Sequence, residues 1–124
     1  MAAHIEQGQR FSPRVRLTDA REFRRVFEEA VRCSDRAFTI LARPGPCAHA
    51  RLGLAISKKC ARRAVARNRI KRLVRESFRA AQHDLPAVDL VVMCRPVIND
   101  MTHAELLAAL RKLWQCVRNR CRHS

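Results

Sequence analysis

The sequence predicts one α/β domain, a two-layer α+β sandwich with the element order α-β-β-α-β-α. Three observations carry that prediction. Apolar residues recur at spacings of three and four in three separate stretches, the period of a helix. In three other stretches they follow strand-like patterns. The chain has 124 residues and a 48% hydrophobic content, which suits one buried core without internal repeats.

Charge bounds the partners. Lys and Arg number 26 against 11 Asp and Glu, a formal net charge of +15. Such a balance points to nucleic acid or an anionic membrane surface. No apolar run approaches the roughly 20 residues that span a bilayer, and the N-terminus carries no uninterrupted apolar signal segment. The expected location is the cytoplasm.

Residues 1–16 read as a flexible basic arm, with Arg10, Arg14 and Arg16 around Pro13. Thr18 or Asp19 can cap the first helix, and Glu22 stands three residues past Asp19 as in a capping box. Phe23, Val26, Phe27, Ala30 and Val31 then supply its apolar stripe. Cys33 to Arg36 read as a polar break. Phe38 to Arg43 alternates, with Phe38, Ile40 and Ala42 on one face, which predicts a strand. After the Pro44-Gly45-Pro46 loop, Arg51 to Ser57 alternates again. Leu52, Leu54 and Ile56 share one face, and Gly53, Ala55 and Ser57 leave a flat surface on the other. The short loop predicts antiparallel pairing of these two strands.

The most informative stretch is Ser57 to Gln82. Between Lys58 and Arg79 it holds ten basic residues against one acid, Glu76. Ala61, Val65, Ala66, Ile70, Leu73, Val74, Phe78 and Ala81 predict one apolar stripe along a helix. Like charges one turn apart weaken a helix by about 0.2–0.5 kcal/mol per pair, so a polyanion that removes the repulsion explains the arrangement better than solvent does. A third strand follows over Val88 to Arg95. Thr102 and Glu105 form a T-x-x-E capping box before the last helix, whose Leu106, Leu107, Leu110, Leu113, Trp114 and Val117 face inward. The domain is expected over 17–117, with a basic tail over 118–124.

Other chemistries find little support. No Ser, His and Asp set and no phosphate-cradling glycine loop can be assembled from the spacing, so no catalytic residue is assigned. The six cysteines contain no C-x2-C pair and read as unpaired thiols. Cys116, Cys121 and His123 lack a fourth ligand, and no metal site is expected in the protein. Asn68 inside an Arg-rich helix also occurs in basic-zipper DNA readers, but their helices continue into leucine heptads, whereas this one ends in QHDLP. Phe23 and Phe27 have two readings, as plain core or as the edge of a groove where bases stack.

The segments RLGLAISKK and ARNRIKRLVRESFR resemble the protein subunit of bacterial ribonuclease P. LTDAREFRRVF is similar to that family's first helix and DLVVMCRP to its last strand, so about 100 residues from Leu17 to Trp114 lie in register with it. The resemblance implies that Arg67, Asn68, Arg69, Lys71 and Arg72 contact a catalytic RNA, with Lys58, Lys59, Arg62 and Arg63 on the same basic surface. It implies a second surface, a cleft for the single-stranded 5′ leader of precursor tRNA, at which Phe23 and Phe27 match aromatic positions. Leu41 holds a place where family members can carry tyrosine. It implies that the RNA subunit holds Mg2+ and performs the hydrolysis, with one protein per catalytic RNA and no DNA or membrane partner. Finally it implies a left-handed β-α-β crossover shared with a ribosomal-protein fold (the ribosomal-protein-S5-domain-2-like fold), against the usual right-handed rule. A general RNA-binding or ribosome-associated protein is the alternative that charge and fold allow equally.

Overall fold

Backbone pairing decides what the alternating stretches become. The computed structural model describes residues 20–28 and 30–121, the side chains at 22, 23 and 25 excepted. Along the chain run α1 (Ala20–Glu28), β1 (Val31–Ser34), β2 (Phe38–Pro44), β3 (Arg51–Ala55), α2 (Ala64–Ala81), β4 (Val88–Cys94) and α3 (His103–Cys121). Single 3₁₀ turns over Gln82–Asp84 and Pro96–Asp100 flank β4. The mixed α+β class is as expected, with one strand more than the periodicity suggested. The basic arm over 1–16, the Thr18 and Asp19 caps, and residues 122–124 lie outside the described residues.

The four strands form one sheet in the order β1-β2-β4-β3. β1 pairs with β2 and β2 with β4 antiparallel, whereas β3 runs parallel to β4. The expected antiparallel pairing of β2 with β3 is therefore wrong. β4 inserts between them, and its ladders with both neighbours replace a two-strand hairpin. The helix between β3 and β4 becomes the crossover that a parallel pair requires.

The extra strand, β1, falls where a polar break was expected and takes Val31 out of the first helix. Asp35 Oδ1 accepts hydrogen bonds from the N–H groups of Ala37 and Phe38, both at 2.8 Å, and this turn folds β1 back on β2. Val31 and Cys33 then face the core while Arg32 and Ser34 stay exposed. A four-residue alternation is too short to compete on paper with a helical stripe that runs into it.

Alternation sorts the sheet into two faces. Phe38, Ile40 and Ala42 of β2, Leu52 and Leu54 of β3, and Leu90 and Val92 of β4 are buried beneath α2 and α3. From the helices, Ile70, Leu73, Val74 and Phe78 meet Leu106, Leu110, Leu113 and Val117 in the same core. Phe78 and Trp114 pack edge to face at 5.9 Å between centroids, and the Trp114 indole donates to Ser77 Oγ at 2.7 Å. On the opposite face α1 covers a smaller cluster, with Val26 on Val91 and Leu41, Ala55 and Met93 at its margin.

The capping box of α3 forms as expected. The Thr102 N–H donates to Glu105 Oε1 at 2.8 Å, and the Glu105 N–H donates to Thr102 Oγ1 at 3.1 Å. These bonds hold the Glu105 carboxyl below its ordinary pKa. The box therefore acts at neutral pH and is lost as acidification passes through that lowered value. At its other end α3 continues through Arg118 to Cys121, where a tail was expected. Cys121 is buried, and the Arg120 guanidinium donates to the Arg32 carbonyl.

Cys33 is paired with Cys116 and Cys60 with Cys94, at Cα separations of 6.1 and 5.9 Å, and Cys47 and Cys121 take no part in these two disulfides. The reading of all six as unpaired thiols is corrected for these four. Partners 83 and 34 residues apart carry no local spacing signal.

One polar pair is sealed into the sheet. Arg51 and Asp89 face each other in the β3–β4 register, with Nε on Oδ1 and Nη2 on Oδ2, both at 2.8 Å. Arg51 is 7% exposed and Asp89 2%. The Pro44–Pro46 loop closes over the carboxylate: the Gly45 N–H donates to the Ala87 carbonyl, and a Cβ at Gly45 would stand 2.5 Å from Asp89 Oδ1. Only glycine fits there. Removing one partner leaves a buried uncompensated charge, so Arg51→Ala or Asp89→Ala is expected to cost about 3–5 kcal/mol in urea unfolding. A loss below about 1 kcal/mol, the range of an exposed pair, would show that the pair does not hold the sheet.

Candidate nucleic-acid interface

The basic stretch divides into a loop and a helix. Residues 57–63 are not helical, and α2 begins only at Ala64. The helix therefore starts well after the expected Ser57. Four of the loop's carbonyls, those of Ser57, Cys60, Ala61 and Arg62, are taken. Ser57 O accepts from the N–H groups of Cys60 and Ala61, both at 3.1 Å. Asn99 Nδ2 donates to Cys60 O at 2.9 Å, and Arg67 Nη1 donates to Ala61 O and Arg62 O at 2.9 and 2.8 Å. With its backbone tied from inside, the loop presents Lys58, Lys59, Arg62 and Arg63 outward. Lys58, Lys59, Arg62 and Arg63 are all exposed, and Ser57 is half-buried at the loop's root.

On α2 the exposed face is formed by Val65, Asn68, Arg69, Arg72, Glu76 and Arg79, which recur at helical spacing. Val65 was expected in the core but is 79% exposed. It lies on the same side as Arg72, opposite the stripe through Ile70, Val74 and Phe78. Lys71 was expected outward with its neighbours. It is 6% exposed, its aliphatic stem buried on the flank of that stripe. Arg67 is half-buried and engaged with the loop.

The start of α2 adds to the field. Arg63 at the N-cap makes no side-chain cap bond, and the first turn contains no acid. The first N–H groups of the helix, the positive end of its dipole, therefore open into a cluster of cations. Such an end favours a phosphate oxygen.

The second surface lies on the other face of the sheet. Val26 closes the root of α1 against Val91, and Phe27, one residue on, is 45% exposed. Phe23 is one helical turn earlier on α1, and its side chain lies outside the described residues. Leu41 and Met93 are half-buried on the floor, with Ala55 beside them. Arg32 pairs with Leu41 across the β1–β2 ladder and is exposed on that face. Sequence reasoning missed Arg32 because it missed β1; the V-R-C-S alternation was the available signal. It also missed Asn99, whose clamp on Cys60 spans 39 residues. Since β3 and β4 are parallel, Ala55 and Met93 end at the same edge, from which the basic loop departs. The two surfaces adjoin at that edge.

The Ribonuclease P family model matches residues 11–118. The chain belongs to the ribonuclease P protein family. It is 53% identical over 115 residues to the ribonuclease P protein component of Methylococcus capsulatus, covering 93% of this chain and 90% of the relative. To that of Thioalkalivibrio sulfidiphilus it is 49% identical over 117 residues, covering 94% and 96%. Among solved structures it is similar to the Staphylococcus aureus RNase P protein, with TM-score 0.78 at 29% identity over 84% of this chain and 97% of that one. The Thermotoga maritima RNase P protein superposes with TM-score 0.73 at 28% identity, covering 82% and 96%. As a ribonuclease P protein component, the chain is a subunit of an RNA–protein endoribonuclease of tRNA processing, and its partner is RNA. Both surfaces fall inside the matched residues.

The bonds from Arg67 to the loop change how the basic segment is tested. Arg67→Ala strips donors from two carbonyls and is expected to cost about 1–3 kcal/mol of stability. Arg69→Ala with Arg72→Ala touches only the exposed face. That pair should leave unfolding unchanged while reducing the log–log salt dependence of RNA affinity by about 0.7–0.9 for each phosphate left unneutralised. An unaltered slope would remove this face from the interface.

Proposed function

We propose that this chain binds the catalytic RNA of ribonuclease P through the basic loop and α2, and the 5′ leader of precursor tRNA through the cleft beside α1. Lys58, Lys59, Arg62, Arg63, Asn68, Arg69 and Arg72 supply the RNA contacts. Arg67 and Lys71 serve by holding the loop and the helix flank in place. The observation that carries the reading is the meeting of the two surfaces at one edge of the sheet. An RNA seated on the basic band then lies beside a strand held in the cleft.

The protein's part in the reaction is electrostatic and positional. Two polyanions, catalytic RNA and substrate, must approach, and a rigid row of guanidinium and ammonium groups between them lowers that repulsion. Arg forks suit phosphate oxygens geometrically, and the uncapped start of α2 adds N–H donors at the same place. In the cleft, Phe27 offers a ring face to a leader base, Leu41 and Met93 offer apolar floor, and Arg32 stands beside them for a phosphate. Mg2+ belongs to the RNA subunit and supplies the hydrolytic chemistry there. One protein serves one catalytic RNA. The cytoplasm, where precursor tRNA is made, is the proposed location. Cytosolic thiols are kept reduced, so the two cysteine bridges are expected to be open there, with the core alone carrying the fold.

Divalent ions can perform the same screening, which makes the mechanism testable. Addition of the protein to the catalytic RNA should strongly stimulate cleavage of precursor tRNA at low Mg2+, with the effect shrinking as Mg2+ rises. No stimulation at low Mg2+ would overturn the screening role. Stacking of a base on an aromatic ring is worth about 1–3 kcal/mol, so Phe27→Ala should weaken precursor tRNA binding about 5- to 150-fold. Mature tRNA, which lacks the leader, should bind the variant unchanged. Equal losses for both RNAs would take Phe27 out of leader recognition.

A further inference from the structure

On the helical side of the sheet, bordering the exposed face of α2 at Glu76, a cavity of about 540 Å³ opens between the C-terminal half of α2, the turn after it, and α3. Its size falls within the range of small-ligand sites, about 300–1,000 Å³. Nothing in RNA binding by the basic band or the cleft uses it. Two helical stripes face one another across it, and their chemistries differ.

The floor is apolar. Trp114 and Leu85 are buried there, and Leu107 is half-buried beside them. The α2 side carries carboxylates, Glu76 from the helix and Asp84 from the turn. The α3 side carries cations, Arg111 and Arg118, with the amide of Gln115 between them. Arg111 and Arg118 are two turns apart on one helix face, about 10 Å at the usual rise. Arg118 Nε is buried and has no hydrogen-bond partner among the described residues. An N–H donor shut away from water and left unpaired is costly, and an anionic oxygen is its best acceptor.

A ligand matching all three features has a flat apolar ring, ring-edge donors for a carboxylate, and an anionic group on the far side. We infer that this cavity is a site for a nucleoside monophosphate unit, its base over the Trp114 floor, its base-edge N–H groups on the Glu76 and Asp84 wall, and its phosphate on Arg118. Guanine presents two adjacent donors, N1–H and the 2-amino group, which suit one carboxylate in bidentate fashion. Uracil presents only one. The same chemistry is offered by a free nucleotide and by an unstacked nucleotide of a bound RNA.

Trp114 is the only tryptophan in the chain and lines the site, so its fluorescence reports occupancy directly. GMP titrated into the free full-length protein should change Trp114 emission saturably in the millimolar range. UMP should require at least about tenfold more, a difference of about 1.4 kcal/mol. Arg118→Gln should weaken GMP at least tenfold, whereas Arg69→Ala on the RNA-facing band should leave it unchanged. Should Arg118→Gln fold poorly, Ala80→Phe, at an exposed lining position, should abolish the response while retaining the helical signal. No saturable change with GMP, or one insensitive to both Arg118→Gln and Ala80→Phe, would overturn the proposal. Repeating the titration on the complex with catalytic RNA identifies the source. Loss of the GMP response there means that a nucleotide of the RNA fills the site; its persistence means that the ligand is free nucleotide. The titration uses protein without RNA, so its failure leaves the ribonuclease P reading untouched.

Discussion

The parallel pairing of β3 with β4 is the constraint on which the rest of the molecule depends. Two parallel neighbours cannot be joined by a tight turn, so the chain must cross the sheet between them, and the crossover is α2. Its Ile70, Leu73, Val74 and Phe78 are pulled onto the sheet beside α3, and the opposite side is left to Asn68, Arg69, Arg72 and Arg79. The helix that is least stable on its own, through repulsion among its cations, is thus the one clamped by the strand pairing. The core compensates locally for that repulsion.

The same pairing brings the basic band and the open sheet face together. Because β3 and β4 run in one direction, the basic loop leaves the sheet at the edge where that face ends at Ala55 and Met93. The loop gains its shape from bonds to residues outside it, Asn99 on Cys60 O and Arg67 on Ala61 O and Arg62 O. Its cations are therefore held outward on a tethered backbone, so less conformational freedom remains to be lost when RNA binds. Behind the sheet, α2 and α3 diverge enough to leave the cavity near Trp114. Its charged walls have no part in the main core.

Much of this was legible in the chain. Thr102 and Glu105 announced the start of α3 because a capping box is local, three residues wide, and closes on itself. Phe38, Ile40 and Ala42 sorted correctly into the core because strand alternation is strict. Phe27 and Leu41 were grouped by family resemblance, and the fold puts both on the α1 side of the sheet. What failed did so for identifiable reasons. β1 is four residues long and merges with the end of a helical pattern. Val65 is apolar and in phase with nearby Ala61 and Ala66, yet the chain turns just before it and leaves it in solvent. Lys71 was assigned by its charge, whereas its long stem lies buried along the helix flank.

The sequence alone determined the number of helices, the faces of β2 and β3, the cationic character of the 58–79 segment, and the family. Each of these rests on near-neighbour spacing or on local composition, which tertiary context seldom overturns. Only the tertiary structure decided that β4 lies between β2 and β3, that Arg51 is sealed onto Asp89, that Arg67 braces the loop it follows, and that a cavity opens beside Trp114. These are long-range events. Strand partners are chosen by the total burial that a whole topology allows, and no segment of this chain carries that sum within its own few residues.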